Sequence, residues 1–210
     1  MWQDKAKTVV FFANEKQVLA VVAIADQLKP TSKAAIARLK QMGVAVYMLT
    51  GDNRQTASAV AAQVGVTDFK AEVLPADKAE FIKQLQAEGK LVAMVGDGIN
   101  DSHALAQADV SIAMGHGSDI AMDVAKMTLI TSDLDSIPKA LQLSRKTVLG
   151  IKQNLFWAFI YNAIGIPIAA GLLYPVNGFL LDPMIAGAAM AFSSVSVVAN
   201  SLRLKASKLS

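Results

Sequence analysis

Two short loops carry the residues best suited to chemistry. One reads Thr50-Gly51-Asp52-Asn53 and the other Gly96-Asp97-Gly98-Ile99-Asn100-Asp101. Carboxylates, with water and phosphate oxygens, are the usual ligands of Mg2+. Glycine allows tight turns and close backbone approach to an anion. A hydroxyl such as Thr50 can donate to a phosphoryl oxygen. A lysine such as Lys78, which lies between the two loops in sequence, can balance its charge. Together these parts describe a phosphoryl-transfer site. Either loop alone is equally an ordinary turn, because Gly-Asp-Asn and Asp-Gly are common turn sequences. The pair becomes informative only if both loops sit at adjacent strand ends.

The surrounding pattern supplies such strands. Short apolar runs alternate with amphipathic stretches. Val18–Ile24, Val44–Leu49, Leu91–Val95, Val110–Met114 and Met127–Ile130 read as strands. Helices are expected over Thr31–Met42, Arg54–Val64 (stopped by Gly65), Asp77–Glu88 (ended by Gly89), Ser102–Gln107 and Ser118–Ala125. Strands separated by helices of this length predict an α/β domain with a parallel sheet covered on both faces. Ligands of such a sheet bind beyond the carboxyl ends of its strands. That is where the two acidic glycine loops fall.

The charge distribution divides the chain. Of its 17 acidic residues only Asp182 lies within 154–202, a stretch with no Lys or Arg. Two membrane spans are expected, about 154–174 and 183–202, each near the roughly 20 residues needed to cross a bilayer. Residues 1–143 form the soluble part, and 144–210 hold a connecting helix and the spans. Lys139, Arg145, Lys146 and Lys152 precede the first span, and Arg203, Lys205 and Lys208 follow the second. The positive-inside rule then places the soluble part and the C-terminus in the cytoplasm. A soluble part without a basic face argues against nucleic-acid binding. With no Cys there is neither a disulfide nor a thiolate metal site in the chain.

Polar residues inside the spans are costly in lipid. The first span has Tyr161 and Asn162, then Pro167, which is expected to bend the helix. The second has Met190, Ser193 and Ser194 on one helix face. A thioether suits Cu(I) and suits Mg2+ poorly. Small residues and Met also simply pack helices together. His103 and His116 are lone loop histidines, a weak basis for a metal site.

Met48-Leu-Thr-Gly-Asp-Asn53, Lys78 on the following helix and Val95-Gly-Asp-Gly-Ile-Asn-Asp101 resemble the phosphorylation domain of a P-type ATPase, which has a haloacid-dehalogenase-like fold. Tyr161-Asn162 and Met190-x-x-Ser193-Ser194 resemble the last two spans of its copper(I)-transporting branch. The resemblance runs from about Thr8 to the end, with a remnant of the nucleotide-binding domain at the start. It implies that Thr50 holds the phosphoryl group, Gly51 and Asp52 line the same pocket, and Lys78 neutralises its charge. It implies that Asp97 binds Mg2+ and that Asn100 and Asp101 complete the Mg2+ and phosphoryl surroundings. Tyr161, Asn162, Met190 and Ser194 are implied to line a copper path, with Ser193 beside it. The implied cofactors are Mg2+ and ATP, with Cu(I) as cargo, in a multi-pass bacterial inner-membrane protein.

Some family motifs are missing. No Asp-Lys-Thr-Gly occurs, nor the intramembrane Cys-Pro-Cys or the Thr-Gly-Glu of the actuator domain. His103 stands where the family has Pro. The chain therefore reads as the C-terminal part of a copper export pump, inactive alone and completed by the rest of the pump or by a split-pump partner. A membrane-anchored regulator or assembly partner of a full pump is the alternative. An independent haloacid-dehalogenase-like phosphatase is the weakest reading, because it needs the same missing Asp.

Overall fold

The computed structural model describes residues 8–24, 27–97, 99–115, 119–178 and 182–206. The chain divides into two compact units, Met1–Pro138 and Lys139–Ser210.

The first unit opens with a hairpin, β1 (Thr8–Ala13) and β2 (Val18–Ile24), paired antiparallel. Asn14 makes the turn. Its Oδ1 accepts from the N–H groups of Lys16 at 3.0 Å and Gln17 at 2.8 Å. This corrects the expectation that Val18–Ile24 joins the parallel sheet. So short a turn permits only an antiparallel partner, because a parallel pair needs a long crossover. The hairpin leaves Phe11, Phe12 and Leu19 exposed.

After α1 (Ser32–Gln41) come β3 (Tyr47–Leu49), α2 (Arg54–Val64), β4 (Asp68–Lys70), α3 (Pro75–Ala87) and β5 (Ala93–Gly96). Then follow α4 (Ser102–Gln107), β6 (Val110–Met114), α5 (Asp119–Val124) and β7 (Met127–Leu129). The parallel pairing expected from the βα alternation is present, but in two pieces. Among the described residues β3 pairs with β4, and β5, β6 and β7 form a separate sheet with β6 in the middle. Strand β6 is accordingly the buried one, with Ala113 fully inaccessible. Strand β3 begins only at Tyr47, so Val44–Val46 do not extend it as expected.

Two cores correspond to the two sheets. Ile36 of α1 and Ala61 and Val64 of α2 pack with Val46, Met48 and Phe69. Ile82 of α3 and Ala104 and Ala108 of α4 pack with Val92 and Met94. Helix α3 also reaches the first sheet. The Phe81 ring lies edge-on to Tyr47, 5.6 Å between centroids, and the Lys70 ammonium sits 3.9 Å over the same ring. At the end of the unit Asp133 accepts from the Thr31 hydroxyl at 2.7 Å and Asp135 pairs with Arg38 at 2.8 Å.

Helix α6 (Ser136–Ala169) runs without a break through the expected connecting segment. A short helix, α7 (Tyr174–Asn177), and the long α8 (Pro183–Ala206) complete the chain. The expected first span to residue 174 is thereby shortened. Helix α6 stops just past Pro167, and Gly171 at φ +88° turns the chain, a conformation that costs glycine little. Among the described residues no helix is long and apolar enough to cross a membrane. The apolar part of α6, from Leu155 to Ala169, covers roughly 23 Å at 1.5 Å per residue, against about 30 Å of hydrocarbon. Leu172 and Leu173, which would extend it, lie in the turn.

Asp109, between α4 and β6, accepts from the Val92 N–H at 2.9 Å. This bond, with one from Gln86, holds its carboxyl below the ordinary carboxylate range. A carboxyl lowered on folding adds stability above its unfolded pKa and loses it as pH falls through the folded value. Asp109→Asn is therefore expected to lower the urea midpoint at neutral pH and to flatten its fall toward acid. The two curves should converge below the carboxylate range.

Candidate functional site

Both acidic loops follow carboxyl ends of parallel strands. Thr50 follows β3 directly. Its hydroxyl donates to Asp52 Oδ2 at 2.8 Å, and the Asp52 N–H donates back to Thr50 Oγ1 at 3.1 Å. Asn53 caps α2 by accepting from the Thr56 N–H at 2.9 Å, so the helix starts immediately behind the loop. Thr50 is partly buried, while Gly51 and Asp52 are exposed.

A second segment braces this loop. The Thr50 N–H donates to Lys70 O at 3.0 Å, the Glu72 N–H to Asp52 O at 2.8 Å, and the Val73 N–H to Thr50 O at 3.0 Å. Glu72 takes φ +56° to do so, in the left-handed region that is costly for a residue with a Cβ. Sequence reading missed this brace. No Gly or Asn marks Glu72 as a left-handed position, and β4 is only three residues long.

The other loop follows β5. Asp97 is exposed, and Asn100 and Asp101 lie in a 3-10 turn leading into α4. Asp101 is tied to α3: Lys78 Nζ donates to Asp101 Oδ1 at 2.8 Å, with both side chains mostly buried, 13% and 14% exposed. Lys78 is placed by the start of α3. There Pro75 takes the first helical position and the Asp77 carboxylate reaches back to the Leu74 N–H at 3.3 Å. Gly96 makes room for Asp101. A Cβ at Gly96 would stand 2.7 Å from both Cβ and Oδ2 of Asp101.

The structure thus joins Lys78 to Asp101 and Thr50 to Asp52. Among the described residues no hydrogen bond or ion pair links the two clusters, and no group of three acidic or histidine side chains could hold a metal ion. The donor set still fits Mg2+, which is commonly held by one or two carboxylates with water and phosphate oxygens. Asp97 and Asp101 would be those carboxylates. Gly98 and His116 lie outside the described residues. His103 is exposed on α4.

In the second unit α6 and α8 meet through amides. The Asn200 side chain donates to Asn154 Oδ1 at 2.8 Å and to Gln153 Oε1 at 3.4 Å. The Asn154 amide approaches Ser201 Oγ at 3.4 Å. Asn162 donates to Ala158 O of its own helix at 2.8 Å. Tyr161 is half-exposed against Trp157, and Ser194 is exposed. The Met190 side chain lies outside the described set.

Gly96→Ala is expected to push Asp101 away from Lys78. Overpacking of this kind costs about 1–3 kcal/mol. Gly51→Ala, which meets only Val73 O at 3.8 Å, should cost less. Chemical denaturation of the two variants side by side checks the ranking.

Comparison with known proteins gives the family. Residues 1–109 match the haloacid dehalogenase-like hydrolase family. The chain is 57% identical to the probable copper-transporting ATPase PacS of Synechocystis over 97% of its length. It is 52% identical to the copper-exporting P-type ATPase of Vibrio cholerae over 98%, and 56% identical to the probable copper-importing P-type ATPase A of Enterococcus hirae over 96%. It spans only 27%, 22% and 27% of those relatives. Among solved structures, a zinc-transporting PIB-type ATPase in the E2.Pi state superposes with a TM-score of 0.82 at 34% identity. That match covers 97% of this chain and 32% of the other. The chain belongs to the haloacid dehalogenase-like hydrolases and is homologous to a C-terminal region of copper-transporting P-type ATPases.

Proposed function

We propose that the chain supplies the Mg2+ and phosphoryl pocket and the last two membrane helices of an ATP-driven copper(I) pump. The carboxylate nucleophile comes from a segment outside this sequence. One observation carries the reading. Strands β3 and β5 belong to separate sheets, yet α3 packs on both, through Phe81 on Tyr47 and Ile82 on Met94. A helix is about 10–12 Å across and strands in a sheet lie about 4.8 Å apart. The space under α3 therefore suits one further strand between β3 and β5. A strand there ends between Thr50 on one side and Asp97 and Asp101 on the other, where a phosphorylated Asp belongs.

In this reading the γ-phosphoryl of ATP moves to that carboxylate, breaking its bond to ADP. Asp97 and Asp101 would hold Mg2+, which would offset phosphoryl charge. Thr50 exchanges its bond to Asp52 for one to a phosphoryl oxygen. Lys78, steered by Asp101, balances the remaining charge. Gly51 and Asn100 bound the pocket. The chain alone has no turnover, because the nucleophile is absent from it.

The second unit supports a membrane role. Phe156, Phe159, Ile166, Phe192 and Val195 are exposed on α6 and α8, and lipid is the environment that covers such faces. The Asn154–Asn200 bond lies at similar distances from the ends of the two helices, as in an antiparallel pair. Counting inward from it brings Tyr161 and Asn162 about level with Ser193 and Ser194, and Met190 about one turn deeper. Phenol, amide and hydroxyl groups at that level, and a methionine nearby in the helix sequence, are the residue types we assign to the path of a soft monovalent ion. Relatives named for export and for import both occur, and export is our reading.

A C-terminal antibody on native membranes tests the assembly. A band several times the 22.2 kDa of this chain, or a band of that size co-purifying with an Asp-Lys-Thr-Gly polypeptide, is expected. A band of that size with neither favours a non-catalytic regulator. In the complete pump, Asp97→Ala should abolish the acid-stable phosphoprotein formed from ATP. Met190→Leu should spare ATP binding and lower copper-stimulated turnover at least tenfold, on the order of 1.4 kcal/mol of lost coupling. Unchanged copper stimulation removes Met190 from the path, and copper uptake by inside-out vesicles fixes the direction.

A further inference from the structure

The basic half of α6 has a face that the pump reading does not use. Ser144, Arg145, Val148, Leu149 and Lys152 line an open depression of about 340 Å3. Their spacing of three, four and seven places them on one side of the helix. All five are exposed. Two apolar residues thus form a floor with a cation at either end. Arg145 and Lys152 stand two turns apart, roughly 10.5 Å along the axis, and their long side chains can converge above Val148 and Leu149. Residues 136–153 hold four cations and no acid.

The same face continues into the apolar half of the helix. Phe156 and Phe159 follow Lys152 at helical spacing and are exposed, the latter by 74%. One stripe therefore runs from hydroxyl and cations to aromatic rings. We propose that this stripe seats one anionic glycerophospholipid, its phosphate between Arg145 and Lys152 and its acyl chains along Phe156 and Phe159. Free inorganic phosphate has no use for the apolar floor or for the rings below it. An acidic lipid satisfies both ends, and a basic cluster beside a span attracts such lipids. The inference rests on the membrane reading of α6.

Trp157 reports on the site from within the same helix. The chain has two tryptophans, so Trp2→Phe leaves Trp157 alone. The full chain is reconstituted in phosphatidylcholine vesicles containing either acyl-brominated phosphatidylglycerol or acyl-brominated phosphatidylcholine at equal bromine content. Bromine quenches tryptophan on contact. Quenching by both lipids, but at severalfold lower content for phosphatidylglycerol, is expected. Arg145→Gln with Lys152→Gln should reduce that preference roughly fivefold or more, the scale of one or two interfacial charges. Lys139→Gln with Lys146→Gln should leave it nearly intact. Strong but equal quenching by the two lipids overturns the lipid site and leaves the membrane reading standing. No quenching by either overturns the membrane reading itself. A preference that survives the Arg145 and Lys152 pair, or falls equally with the Lys139 and Lys146 pair, overturns the site in favour of diffuse charge.

Discussion

A mostly buried ion pair between Lys78 and Asp101 fixes the position of the candidate site. It joins α3 to the loop after β5, and α3 in turn spans two sheets that share no strand. Breaking a buried pair by removing one partner leaves an uncompensated charge, which is strongly unfavourable. Gly96 and the cap at Leu74 both serve this pair, one by yielding space to Asp101 and the other by setting where α3 begins. The pair also orients the pocket. Lys78 lies against Asp101, while Asp52 and Asp97 are exposed near strand ends, where carboxylates suit an incoming divalent cation.

Much of this was legible in the residues. Strands β2 and β6 and helices α2 and α4 have the bounds the sequence suggested, because each is a clear periodic run closed by Gly, Asn or an acidic turn. The misses are elements whose existence depends on a partner. Strand β4 is three residues with one apolar position, and only Phe69 packing beside Met48 makes it a strand. The antiparallel β1–β2 hairpin depended on the Asn14 turn. The Glu72 brace has no sequence signal at all, since a left-handed glutamate is dictated by the hydrogen bonds it completes. Nothing local in the sequence distinguishes one continuous sheet from two.

The second unit reverses the balance. Its composition announces lipid, yet the apolar part of α6 is short for a bilayer, because the chain turns at Gly171 soon after the helix ends at Ala169. Polar groups inside it find partners, among them Asn162 on its own helix and Asn154 with Asn200 and Ser201. Such pairing reduces the cost of amides in a low-dielectric surrounding. It also fixes which residues of α6 and α8 stand opposite each other.

The central claim is that β3 and β5 flank a place for one missing strand. Hydrogen exchange resolved to single amides tests it directly, comparing this chain alone with the chain bound to a polypeptide carrying Asp-Lys-Thr-Gly. The account predicts that exchange slows together in Tyr47–Leu49 and Ala93–Gly96, while Met127–Leu129 at the far edge is unchanged. Slowing confined to β7, or no slowing in β3 and β5 when the partner is bound, would contradict it.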